Sequence, residues 1–446
     1  MPDRTISGEQ RKHIGWVTLS LDGYSAGPGN DMSRIAEHAG HEQMMAYTEG
    51  IWRGVSTAVM GRTNYEGFFG YWPPVAKDPA STPRNRDLAI WLDTVEKVVF
   101  SRTMQRAEWQ NTRVASDLET EIRALKAASG RDILVLNSAS IIQALLNSEL
   151  LDELQLFLVP VLLGGGLRSS RTALRRPRGN SSAWRRSQRA WSRCATADRK
   201  RAGHRAPVLP TCAVSLARDD VTGGEHQHPR RPAARITHLN PVHLEVPMGR
   251  VIVVMSTSPD GFITVSNVRP EEPLGDDGER LHTWAMEPDD RNRQLLEEAT
   301  TAVGAIIAGR RTYDLSVPWW GADCPTGATR RPVFVVTHAT PPNVPDGGVY
   351  TFVSDGIESA LRLAKAVAED RDVAVMGGAN VAQQFIRAGL VDVIQIQLVP
   401  VLFGSGTRLF ESIGPDHVIL ETAQVVETPA ATHLQFRVVD RLSIGA

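Results

Sequence analysis

Two successive glycines, Gly377 and Gly378, follow the apolar run Asp372-Val-Ala-Val-Met376 and precede Ala379, Asn380 and Val381, which open a helical pattern. Glycines at a strand-to-helix turn let backbone N–H groups approach a pyrophosphate closely, and the helix dipole favours negative charge there. The same turn also serves tight strand-to-helix packing with no ligand. A second group, Gly309, Arg310, Arg311 and Thr312, stands directly after the apolar run Ile306-Ile307-Ala308. Arginine suits bidentate phosphate contacts and Thr312 adds a hydroxyl donor, although a solvated surface arginine needs no ligand. Thr337 and His338 close a third apolar run, Val333-Phe-Val-Val. They are further binding candidates, with an ordinary strand-end turn as the alternative. Asp260, in Ser258-Pro259-Asp260-Gly261, is the candidate catalytic residue, able to hydrogen-bond a substrate or help move a proton. Asp-Gly is also a common turn.

These groups recur in order in the first half of the chain, which makes an internal repeat the organising feature. His13-Ile-Gly-Trp-Val-Thr-Leu-Ser20 leads to Asp22-Gly23 as Arg250-Val-Ile-Val-Val-Met-Ser256 leads to Asp260-Gly261. Gly61, Arg62 and Thr63 follow Ala58-Val-Met60, and Tyr71-Trp72 parallels Trp319-Trp320. The closest parallel sets Leu151-Asp-Glu-Leu-Gln-Leu-Phe-Leu-Val-Pro160-Val-Leu-Leu-Gly164-Gly-Gly166-Leu-Arg168 beside Val391-Asp-Val-Ile-Gln-Ile-Gln-Leu-Val-Pro400-Val-Leu-Phe-Gly404-Ser-Gly406-Thr-Arg408. Strands alternating with 3.6-period helices, such as Leu118, Ile122 and Leu125, or Ile357, Ala360, Leu361, Ala364 and Val367, predict a mostly parallel α/β sheet covered on both faces. In copy 2 the runs 417–425 and 432–438 have no helix between them and are expected to pair as an antiparallel hairpin.

The expected organisation is therefore copy 1 at 13–168, a connector at 169–247 and copy 2 at 248–442. Formal charge separates them: of the net −1, residues 169–235 carry +12 and the rest −13. Such an Arg-rich, core-poor stretch reads as a disordered connector, with nucleic-acid binding as the alternative because arginine clusters attract phosphate. The likeness between copies stops abruptly at Arg168. Reading the bases of Ser169-Ser-Arg-Thr-Ala-Leu174 one position earlier permits Leu-Phe-Glu, the counterpart of Leu409-Phe410-Glu411. The same displacement near 191–198 permits a counterpart of the last strand. A one-base frameshift is thus expected near Arg168, with copy 2 beginning at its own Met248. Copy 1 then lacks its final hairpin, keeps an exposed sheet edge and is the less stable half. Cys194, Cys212 and Cys324 have no metal-ligand spacing, so neither a metal nor a disulfide framework is expected. No apolar run reaches membrane-spanning or signal-peptide length, which places the chain in the cytoplasm as an expectation.

The order of Asp-Gly, Gly-Arg-x-Thr-Tyr, a Gly-Gly turn before a helix and Val-Pro-Val-Leu-x-Gly-x-Gly resembles the dihydrofolate reductase superfamily. More closely it resembles the reductase domain of the bifunctional riboflavin-biosynthesis deaminase-reductase. The likeness covers nearly all of copy 2 and copy 1 up to Arg168. It implies NADPH as hydride donor, with the pyrophosphate at Gly377 to Val381, the adenosine phosphate at Arg310 and Arg311, and Thr337 and His338 near the adenosine. Gly61, Arg62 and Thr63 are the matching positions of copy 1, but Asn137-Ser138-Ala139-Ser140 replaces Gly-Gly-Ala-Asn, and side chains there crowd the close backbone approach. His282, Trp284, Trp319 and Trp320 fall in loops that can close over the nicotinamide and a planar substrate, or simply plug a core. No acid of the folate-reducing enzymes aligns onto the helix around 289–300, which argues against folate. The implied activity is reduction of a small heterocyclic, carbonyl or imine substrate by copy 2, with a non-catalytic nucleotide-binding protein as the alternative. Relatives commonly dimerise, implying a homodimer or an intrachain pseudo-dimer.

Overall fold

The computed structural model describes residues 11–168, 212–217, 249–286, 289–323, 325–342 and 344–442. Most of the connector, and with it the frameshift and nucleic-acid readings, lies outside these residues. The chain divides into two compact units, one centred on residues 11–159 and the other on 249–442. Among the described residues no helix is long and apolar enough to cross a membrane.

The first half carries β1 (His13–Ser20), β2 (Tyr24–Ala26), β3 (Val55–Gly61), β4 (Glu96–Phe100), β5 (Thr112–Ala115), β6 (Asp132–Leu136), β7 (Glu153–Val159), the short β8 (Val161–Leu162) and β9 (Leu167–Arg168), and β10 (Cys212–Ala217). The second carries β11 (Val251–Thr257), β12 (Phe262–Thr264), β13 (Val303–Gly309), β14 (Val333–Val336), β15 (Tyr350–Val353), β16 (Asp372–Met376), β17 (Val393–Leu398), β18 (Thr407–Arg408), β19 (His417–Glu427) and β20 (Thr432–Leu442). The first sheet runs β10-β7-β1-β6-β3-β4-β5, and the second sheet runs β15-β14-β13-β16-β11-β17-β20-β19 over the equivalent strands. Strands β11, β13, β14, β15, β16 and β17 are mutually parallel; β20 pairs antiparallel with β17, and β19 pairs antiparallel with β20 to close the sheet as a hairpin. Short apolar runs such as Val251-Ile-Val-Val suit strands covered on both faces, and that is where they lie.

The helices between strands bury one stripe each. In the helix Ile357–Ala368 the buried residues are Ile357, Ala360, Ala364 and Ala368, the spacing of a face turned to the sheet. The helix Asp290–Ala302 begins where the Asp289 carboxylate accepts the Asn292 N–H at 2.8 Å. The first unit has an aromatic core, with Trp16, Trp52, Tyr65, Trp109 and Phe157 buried together. In the second, Tyr313 stands edge-on to Tyr350 and Phe352, with centroids 5.0 and 5.2 Å away.

One expectation is corrected. The edge of β7 is not left bare, because β10 pairs antiparallel with it, from Cys212 opposite Leu158 to Ala217 opposite Glu153. Strand β20 takes the same place beside β17, from Thr432 opposite Leu398 to Arg437 opposite Val393. The connector therefore supplies one strand. An unpaired row of backbone donors and acceptors along β7 is a template for a further strand.

Candidate active site

Because β13, β14 and β16 are adjacent and parallel, Gly309, Thr337 and Gly377 emerge on one edge of the second sheet. Two helices start there side by side, Arg310–Trp320 after Gly309 and Ala379–Arg387 after Gly378, and neither N-cap side chain accepts a hydrogen bond. Gly377 and Gly378 have φ of +88° and +85°, in the left-handed region that favours glycine. A Cβ on Gly377 would lie 2.3 Å from Thr312 Cγ2, and one on Gly378 would lie 3.1 Å from Thr312 Oγ1. A Cβ on Gly309 would meet Val381 Cγ2 at 3.0 Å. Thr312 thus packs on Gly377 and Gly378, and Val381 on Gly309, where the two helix starts meet. The glycines keep that contact close and leave the N–H groups of both first turns without side-chain caps, a cradle of the kind a pyrophosphate fits.

The Arg310 guanidinium pairs with Asp314 at 2.7 Å and donates to the Ala339 carbonyl at 2.7 Å and, more weakly, to Thr337 Oγ1 at 3.4 Å. It therefore lies along the end of β14. Arg311 is exposed on the same turn, as is His338 beyond Thr337. Thr337 is buried and bonds the Ala339 carbonyl at 2.8 Å, which makes it part of the strand-end turn. Ala379 is buried; Asn380 is exposed and accepts from Gln384 at 2.6 Å.

Asp260 is engaged in the turn after β11. Its carboxylate accepts the N–H groups of Gly404 at 2.7 Å and Phe403 at 3.2 Å. Burial pushes its carboxyl above the usual carboxylate range, against the opposing pull of hydrogen bonds from Ser258, Gly404 and Phe403 and of the Arg408 charge. Arg408 donates to the Asp260 carbonyl and lies 4.0 Å above the Phe262 ring. The short β12–β18 pair completes this strap.

Beside the Gly-Gly turn, on the β11 side, the structure brings together residues that the sequence reading missed. Ser256 stands opposite Gln397 on β17, and Gln397 opposite His433 on β20. Trp284 donates its indole N–H to Ser256 Oγ at 3.0 Å and meets His433 edge-on at 4.9 Å. The His433 ring bonds Asn292 Oδ1 at 2.9 Å, while the buried Asn292 Nδ2 has no partner among the described residues. Burial, with Arg291 adding to it, lowers the His433 imidazole to about 4, so the ring is neutral at pH 7. The available signal was the pair Gln395 and Gln397 at period two in an otherwise apolar run. Trp284, expected in a closing loop, is 7% exposed and belongs to the core, whereas Trp319 is 71% exposed and His282 is exposed.

Residues 14–176 and 250–434 each match the family of the RibD C-terminal domain. The chain belongs to that family. It carries the domain twice, and both copies are reductase-like domains. YyaP of Bacillus subtilis (strain 168), an uncharacterized protein, is 27% identical over 158 residues, 35% of this chain and 79% of YyaP. Among solved structures, the diaminohydroxyphosphoribosylaminopyrimidine deaminase/5-amino-6-(5-phosphoribosylamino)uracil reductase of Thermotoga maritima is 16% identical, with a TM-score of 0.31 over 43% of this chain and 57% of that one. The dihydrofolate reductase of Enterococcus faecalis, complexed with NADP(H), is 17% identical, with a TM-score of 0.29 over 43% of this chain and 98% of that one.

In the first RibD C-terminal domain the helix Arg62–Lys77 likewise starts after Gly61. Arg62 pairs with Glu66 at 2.7 Å and donates to Thr103 at 2.9 Å, much as Arg310 does with Asp314 and the end of β14, and Thr63 is exposed. Gly61, Arg62 and Thr63 therefore stand at that helix start as Gly309, Arg310 and Arg311 stand at theirs. The turn opposite them differs in kind.

Proposed function

We propose that the second unit is an NADPH-dependent reductase of a small heterocyclic, carbonyl or imine substrate. The observation that carries this reading is the meeting of two uncapped helix starts across Gly377, Gly378 and Gly309, with Arg310 and Arg311 on the same edge. Backbone donors there suit the pyrophosphate, and the two guanidiniums suit the adenosine phosphate that distinguishes NADPH from NADH. NADPH, when bound, supplies the hydride. The chain's own work is to hold that cofactor along the β13, β14 and β16 ends and to place the substrate toward β11.

On that side Ser256, Gln397 and His433 form a buried polar row with Trp284, which we assign to setting the polarity of the substrate side. A neutral His433 gives its one ring N–H, on Nε2, to Asn292 Oδ1, which leaves Nδ1 as an acceptor at pH 7. We assign Asp260 to fixing the loop at Phe403 and Gly404, since its carboxylate is committed to those amides, rather than to proton delivery. Loss of NADPH absorbance with any compound from a panel of pterins, pyrimidines and small carbonyls supports the reductase reading. Binding of NADPH with no turnover across that panel favours a nucleotide-binding protein instead.

A further inference from the structure

We infer that the first unit takes no dinucleotide, because its own side chains fill the cradle, and that the whole chain binds one NADPH rather than two. This rests on the cofactor assignment made above for the second unit. In place of Gly377 and Gly378 the first unit has Asn137 and Ser138, at the same point between β6 and the helix Ala139–Asn147. Asn137 keeps the left-handed backbone, with φ of +43°, and is held in it from both sides. Its N–H donates to the Trp16 carbonyl at 2.7 Å, and its Oδ1 accepts the Thr18 N–H at 2.9 Å. Asparagine is the non-glycine residue best suited to that conformation, so the turn is built for a side chain and not strained by one.

Ser138 completes the closure. Its buried hydroxyl accepts the Gly61 N–H at 2.9 Å and donates to the Leu136 carbonyl at 3.0 Å. Gly61 is the residue from which the Arg62 helix starts, so a backbone donor at the mouth of the cradle is already satisfied internally. Asn64, where the second unit has Thr312, donates to the same Leu136 carbonyl at 2.6 Å. A phosphate entering here displaces three mutually supporting hydrogen bonds, one of them fully buried, and finds side chains where it needs backbone approach.

The substrate side is filled as well, by independent residues. Thr18 stands opposite Phe157 as Ser256 stands opposite Gln397. Phe157 is fully buried, with Trp16 and Tyr47 packed on it at 5.5 and 5.7 Å. The polar row of the second unit is an aromatic cluster in the first. Both clefts of the first unit are therefore completed from within.

Calorimetric titration of NADPH into the full chain tests this, together with hydrogen exchange read by peptide. One equivalent is expected, with protection on binding at 309–312 and 377–381 and none at 61–64 or 137–141. The triple variant Gly377→Asn, Gly378→Ser and Thr312→Asn, which gives the second unit the first unit's turn and the residue facing it, is expected to weaken binding at least 100-fold while exchange elsewhere in the chain is unchanged. Two equivalents, protection at 137–141, or one equivalent still bound at 309–312 and 377–381 in the triple variant overturns the inference and leaves the cofactor assignment standing. No binding by the unaltered chain overturns both.

Discussion

Replacing Gly377 with alanine loads the cradle at its tightest point. The new Cβ would lie 2.3 Å from Thr312 Cγ2 and 3.2 Å from Thr312 Cβ and Oγ1, and the residue would have to hold φ of +88°. The left-handed backbone costs about 1–2 kcal/mol for a residue with a Cβ. Forcing a methyl into a packed contact costs about 1–3 kcal/mol more. Together these give roughly 2–5 kcal/mol of local destabilisation, or a rearranged turn that no longer presents its N–H groups. The two contributions separate in a double-mutant cycle. Thr312→Ser removes the clashing methyl but not the backbone strain, so it should recover about 1–3 kcal/mol of the loss and leave the remainder. Hydrogen exchange of the peptides spanning 303–312 and 372–381, in the full chain, reads the effect within the second unit alone. A loss below about 0.5 kcal/mol for Gly377→Ala, or no recovery with Thr312→Ser, refutes the reasoning that close packing of the helix starts demands glycine.

Three further outcomes follow from charges and hydrogen bonds. His433 is lowered from 6.5 to about 4 by burial, so the unfolded chain takes up a proton before the folded one does. Its contribution is fully present above pH 6.5 and is lost as pH falls toward 4, by roughly 3 kcal/mol across the window. The pH slope of exchange stability at 417–442 should flatten in His433→Gln, and an unchanged slope contradicts the assignment. Lys97 is wholly buried, donates to the Leu92 and Val95 carbonyls at 2.6 and 2.9 Å, and is lowered to about 8 by burial. Between pH 8 and 10.5 the unfolded chain holds more protons, so the first unit gains up to roughly 3 kcal/mol as pH rises. Urea denaturation followed by tryptophan fluorescence should show that rise, and Lys97→Met should abolish it. Asp260→Asn turns an amide toward one of the two N–H groups at 403 and 404, costing about 1–3 kcal/mol of loop stability. Steady-state kinetics should then show a raised KM, whereas a fall in kcat alone would return Asp260 to the role of proton donor.

Much of the fold was legible because it rests on local rules. Apolar runs such as Val251-Ile-Val-Val and Val333-Phe-Val-Val, rich in β-branched residues, read as buried strands, and the spacing of Ile357, Ala360 and Ala364 reads as one helix face. Gly377 and Gly378 were legible for the same reason, since consecutive glycines at a strand end mark positive φ or close approach. The Asn137-Ser138 departure was visible too, but only the fold shows those side chains bonded to Thr18 and Gly61. Nothing local pairs Ser256 with Gln397 and His433, because that row exists only through the register of three strands. Asp260 and Trp284 were read as chemistry, yet each bonds backbone or core partners more than 25 positions away in sequence. The strand Cys212–Ala217 was hidden by its Arg-rich surroundings, since pairing with β7 is a tertiary effect that composition does not report.

The most direct measurement is titration of NADPH and NADH into the full chain, with Arg310→Ala and Arg311→Ala alongside. Tight binding of NADPH, weakened in either arginine variant toward the level of NADH, is the expected result. Failure to bind either nucleotide, or equal affinity for both that neither variant alters, contradicts the cofactor site assigned to Gly309, Arg310, Gly377 and Gly378.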